Sequence, residues 1–125
     1  IVIAIMAVLI GVLAPQYLKY VEKSRIATDK DNAVAIAGAL QVYAADPDAT
    51  TAIAGDEVVT ITGTNTQLAG TATSAALQAA GMNVTNTKLA NKQTFDKVEI
   101  KVTLDSNNNV QVTTTYSKGG TTVTP

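Results

Sequence analysis

The chain has no cysteine, no histidine and no tryptophan. Without cysteine there is no disulfide framework and no thiolate nucleophile. Without histidine, the usual general base near neutral pH and the commonest metal ligand are both missing. Four Tyr and one Phe are the whole aromatic content, too few for platforms that stack bases. Charge is sparse as well: 15% of residues are Asp, Glu, Lys or Arg, with a net charge of -1 and a pI of about 5.2. A phosphate-binding face needs an excess of Lys and Arg, so no nucleic-acid partner is expected. No cofactor and no metal is expected either. With no nucleophile–base spacing in view, neither is an enzyme.

What the chain has instead is an apolar beginning. Residues 1–14 (IVIAIMAVLIGVLA) carry no charge and no strongly polar side chain, and Pro15 stops the run. At 125 residues the chain is one domain with an appended element, and roughly 110 residues beyond the run suffice for one modest core. As a helix, residues 1–14 rise ~21 Å, short of the ~30 Å hydrocarbon core of a bilayer. Three readings compete. The centre of a signal peptide is opposed by the lack of preceding basic residues and of a clean small-x-small pattern afterwards. A buried core helix is opposed by its apolarity on every side, which so small a domain would struggle to surround. A membrane anchor that later packs against copies of itself fits best, and the chain is then expected to begin inside that segment. The packing side chains would be Ile1, Ile3, Ile5, Met6, Val8, Leu9, Val12 and Leu13. Gly11 and Pro15 mark the weak point of such a helix. Pro15 removes a donor and crowds the carbonyl of Gly11, so a break or kink over residues 11–15 is expected when neighbours supply contacts.

Past Pro15 the helix resumes to about Ala45, an amphipathic continuation over residues 16–45. Ile26, Ala33, Ala37, Leu40 and Ala44 recur on one face, with Val34, Ile36 and Val42 alongside. Glu22 with Lys19 or Arg25, and Asp29 with Arg25, are spaced for side-chain pairs. The residue before Pro47 is pushed out of the α region, so Asp46-Pro47-Asp48 ends the helix.

The stretch IVIAIMAVLIGVLAPQYLKYVEKSR resembles the N-terminal helix of type IV pilins and their pseudopilin relatives, with Pro15-Gln16-Tyr17 after the apolar run as its signature. The match covers about the first 30 residues, and the YLKYVEKSR continuation looks most like Gram-positive, clostridial-type members. The family's opening Phe or Met and its Glu are not in this sequence, and the frequent C-terminal disulfide loop is impossible without cysteine. The resemblance implies a chain made with a short basic leader that a prepilin peptidase removes. It also implies a helix laid on a small sheet.

Residues 46–125 read as a β-rich head. Residues 50–55 form a loop. Residues 57–63 (EVVTITG) form a strand with Val58 or Val59 and Ile61 inward, and residues 64–70 a turn region. Residues 74–80 are helix-prone, with Thr73 or Ser74 as N-cap and Gly81 past the end. Residues 97–104 (KVEIKVTL) alternate cleanly, with Val98, Ile100, Val102 and Leu104 on one side. Residues 105–109 turn the chain, and residues 110–116 return with Val110, Val112, Thr114 and Tyr116 in step, completing a hairpin. After Gly119-Gly120 the Thr-rich tail can add an edge strand. The expected fold class is α+β: a long N-terminal helix packed on an antiparallel sheet of three to four strands.

Smaller motifs favour bland readings. Asp105, Asn107 and Asn109 imitate the start of a calcium loop, but Val110 and Tyr116 stand where that motif needs Gly and Glu, and Asx residues are ordinary turn formers. Asp46, Asp48, Asp56 and Glu57 read as a solvated loop rather than a catalytic pair. Asn83-Val84-Thr85 fits a glycosylation tripeptide that chance supplies often. Tyr17 and Tyr20 suit the place where an apolar helix meets a wetter zone.

The leading expectation is a structural protein, the subunit of a type IV pilus. The cytoplasmic membrane would hold it before assembly. It would then polymerise with copies of itself, through the pilus assembly machinery, into an extracellular filament on the cell surface. The alternative is a pseudopilin of a type II secretion or DNA-uptake system. Adhesion, twitching motility and DNA uptake are all compatible with such a filament.

Overall fold

The computed structural model describes all 125 residues except Thr50, Ala54 and Lys92. Helix α1 spans Val2–Ala45, ~66 Å at 1.5 Å per residue, and contains Pro15. In the single chain α1 is continuous through Gly11 and Pro15; the break is expected only where neighbours supply contacts. The helix passes Pro15 with the Gly11 carbonyl left without its helical partner. It ends at Asp46, whose extended backbone (φ -80°, ψ 118°) precedes Pro47.

The sheet has five antiparallel strands, not three to four: β1 (Glu57–Thr62), β2 (Thr66–Ala69), β3 (Lys97–Leu104), β4 (Val110–Lys118) and β5 (Thr121–Val123), in the order β2-β1-β3-β4-β5. The alternating stretches fall as expected. Val59 and Ile61 in β1, and Val98, Ile100 and Val102 in β3, point inward and are buried, while Val112 and Tyr116 in β4 pack against them. The tail pairs with β4, Val123 opposite Tyr116. The expected turn over residues 64–70 is in fact mostly β2. Thr66 donates its N–H to the Thr85 carbonyl and its hydroxyl to the Thr87 carbonyl at 2.7 Å, so a non-local loop fixes a segment with no alternation of its own. Of the expected loop 50–55, Thr50 and Ala54 lie outside the described residues.

The face of α1 that meets the sheet reads Asp29, Ala33, Ile36, Leu40 and Tyr43, steps of three and four as an amphipathic helix requires. Val34 and Val42 stay exposed. Leu77, Leu89 and Phe95 close the core from the segment between β2 and β3.

Helix α2 spans Thr71–Ala79 and begins three residues before the expected start. Neither Thr73 nor Ser74 is its N-cap residue. The cap position is Gly70, and the capping carboxylate comes from another element: Glu57 accepts from the N–H groups of Ala72 (3.3 Å) and Thr73 (2.8 Å). Two orphan donors are thereby satisfied at the positive end of the helix dipole. Gly70 sits at φ +143°, and a Cβ there would lie 2.3–2.6 Å from the Glu57 side chain. Glu57→Ala is expected to cost about 1–2 kcal/mol of stability. Gly70→Ala should cost more, about 2–3 kcal/mol, since it displaces the cap and strains the backbone. Thermal unfolding of the two variants tests the order; a Gly70→Ala protein as stable as the parent would show that the close approach does not matter.

Candidate functional site

The site is the part of α1 that the head leaves bare. Between Ile1 and Tyr20 every large apolar side chain is exposed, from 51% at Leu9 to 101% at Ile1. All eight expected packing residues belong to this set: Ile1, Ile3, Ile5, Met6, Val8, Leu9, Val12 and Leu13. Most of them lie on one broad side of the helix, and Ala4, Ala7, Gly11 and Ala14 complete an apolar circumference with no polar face. An 18-residue window of this helix has a mean hydropathy of 1.9 and no buried residue. By length and composition the helix is apolar enough to cross a membrane. Tyr17 and Tyr20 close the apolar stretch, and Lys23 lies 5.6 Å from the Tyr20 ring centre, the arrangement of an amphipathic border.

Where α1 enters the head, two acids fasten it. Asp29 is 1% exposed. One of its oxygens accepts from the Ala90 N–H at 2.7 Å, and the other from the N–H and side-chain amide of Asn91, both at 2.8 Å. Asn91 in turn accepts from the N–H groups of Thr94 and Phe95. Glu22 accepts from the Gln93 N–H at 3.2 Å and stands 4.0 Å from Arg25. The expected Asp29–Arg25 pair is therefore replaced by a link from the helix to the loop before β3. The sequence carried a faint sign of this: Asp29 falls between Ile26 and Ala33 on the buried face, where a bare carboxylate would be costly without donors.

Phe95, held by that loop, meets Tyr116 edge-on with ring centres 5.0 Å apart. Burial, and next the negative charge of Asp29, raise the Tyr116 phenol above its ordinary value near 10. The neutral phenol is thus favoured by the fold. Its contribution to stability is complete below pH 10 and is lost as pH rises through the raised value. Alkaline unfolding of the parent should therefore show a loss above pH 10 that Tyr116→Phe lacks. Identical profiles for the two proteins would remove Tyr116 as the cause.

Comparison with protein-family models, with curated proteins and with solved structures finds no match to this chain. The remaining motifs resolve locally. Asp105 accepts from the N–H groups of Asn107 (2.9 Å) and Asn109 (2.8 Å), and Asn108 adopts φ 62°, so the oxygen-rich stretch is occupied in closing the β3–β4 turn. Asp46 accepts from the Asp48 N–H. Thr85 donates to the Asn83 side chain. Glu57 is the cap of α2, and among the described residues no three acidic side chains gather as a metal site.

Proposed function

We propose that this chain is a structural subunit of a type IV pilus filament. The observation that carries the reading is a wholly exposed apolar helix end, continuous with the helix that forms one wall of the head core. A helix greasy on every side needs lipid or several copies of itself. In the cytoplasmic membrane it anchors the subunit; after extraction by the assembly machinery it bundles with other copies, burying apolar surface at ~25 cal/mol per Å². Repetition by a rotation that does not close gives an open helical fibre. Residues 11–15 are the place where α1 loses hydrogen bonds if the fibre demands a bend. The Pro15-Gln16-Tyr17 signature supports the same assignment.

Electron microscopy of material sheared from the source cells, with antibody against residues 57–116, tests the reading. Label along the whole length of thin filaments is the expected result. Label confined to filament ends indicates a minor subunit. Protein retained in the membrane with no labelled filament overturns the reading in favour of a pseudopilin.

A further inference from the structure

Charge is uneven along the length of this molecule. No Lys or Arg occurs between Lys30 and Lys88. On α1 the cations Lys19, Lys23, Arg25 and Lys30 precede or enter the head, interspersed with Glu22, Asp29 and Asp31. Lys97, paired with Glu99, and Lys118 stand at the same end. The excess of positive charge there is therefore small, and its leading cations are Lys19 and Lys23. The far end is acidic. Asp46 and Asp48 follow α1, Asp105 lies in the β3–β4 turn, Asp56 precedes β1, and Glu57, the cap of α2, opens β1 opposite Val102. Lys19 and Asp48 make no side-chain bond or ion pair with any described residue. A second oddity lies between the two ends. From Ala33 to Ala45 the helix has no charged residue, and its outward side exposes Val34 and Val42 at 68% and 72%, where a surface helix normally carries polar groups.

One displacement satisfies both. Bringing Lys19 and Lys23 of one copy level with Asp46 and Asp48 of a parallel copy requires a shift of about 26 helical residues, ~39 Å. The same shift sets Val8, Val12 and Gln16 beside Val34, Gly38 and Val42. We infer that neighbouring copies contact each other in this stagger, the apolar end of one covering the uncharged outer face of the next while the basic collar meets the acidic tip. The inference rests on the filament reading and adds its axial register. Opposite charges at the two ends favour that register, because copies set level with no displacement would bring like charges together.

The absence of cysteine makes a clean test possible. Full-length chains carrying Val12→Cys with Gly38→Cys are assembled and mildly oxidised, beside a mismatched control, Val12→Cys with Ala27→Cys. Disulfide-linked ladders at least about tenfold stronger from the first pair are expected, because cysteines bridge only when their Cα atoms lie within roughly 7 Å. Independently, Lys19→Glu with Lys23→Glu should lower filament yield about tenfold, as should Asp46→Lys with Asp48→Lys, and all four together should restore it. Filaments that form but give no matched ladder, or equal ladders from both pairs, overturn the stagger and leave the pilin reading standing. If the unaltered chain forms no filaments at all, the pilin reading fails and the stagger falls with it.

Discussion

Asp29→Ala is expected to destabilise the head by about 3 kcal/mol, a large share of the 5–15 kcal/mol typical of a domain. The reason is the donors left behind. Ala90 N–H, Asn91 N–H and the Asn91 amide all end on this buried carboxylate, and hydrogen bonds to a charged acceptor are among the stronger ones. Alanine leaves those groups facing a dry pocket. Asp29→Asn keeps the volume and one acceptor, so a smaller loss of about 1–2 kcal/mol follows. The damage should be local before it is global. Asn91 holds Thr94 and Phe95, and Phe95 packs on Tyr116, so the amides of residues 90–95 should exchange with solvent before those of β3 and β4. Urea unfolding and amide exchange of the full chain in detergent measure both effects. Both variants unfolding within about 0.5 kcal/mol of the parent would show that the link is dispensable.

The second large effect concerns the bare helix end. Leu9→Lys should weaken membrane attachment about a hundredfold, since a lysine at the centre of an apolar helix costs about 2.5–3.5 kcal/mol where leucine is favourable. Flotation of the full chain with lipid vesicles reads this directly. Val42→Lys is the control. It places the same charge on a still more exposed position of the same helix, beyond the point where the head begins, and should leave flotation unchanged. If Leu9→Lys floats like the parent, residues 1–18 are not the membrane element. If Val42→Lys fails to float, the apolar region extends further along α1 than the charges at Lys19 to Asp31 allow.

Much of this molecule is written in local pattern. The run from Ile1 to Ala14 and the four-three-four spacing of Ala33, Ala37, Leu40 and Ala44 dictate a helix whichever way the rest folds, because side-chain direction follows helical period. The face that is buried nevertheless runs through Ile36 and Tyr43 rather than Ala37 and Ala44. Alternation in KVEIKVTL and VQVTTTY fixes two strands and their inward faces, and Asp105 and Asn108 supply the turn between them. The exposed apolar site was legible for the same reason: its signal is composition, which needs no neighbours. What only the tertiary structure decided depends on residues far apart in the chain. Strand β2 exists because the Thr85–Thr87 backbone and β1 hold Thr66–Ala69 between them. Helix α2 starts at Thr71 because Glu57, from a strand, caps it more effectively than any residue beside it. Asp29 looked like a partner for Arg25, one turn away, and instead serves the backbone of residues 90 and 91. Capping, edge pairing and burial of a charge are each set by which donors arrive in space, and sequence spacing carries that information only for partners on the same turn or the same hairpin.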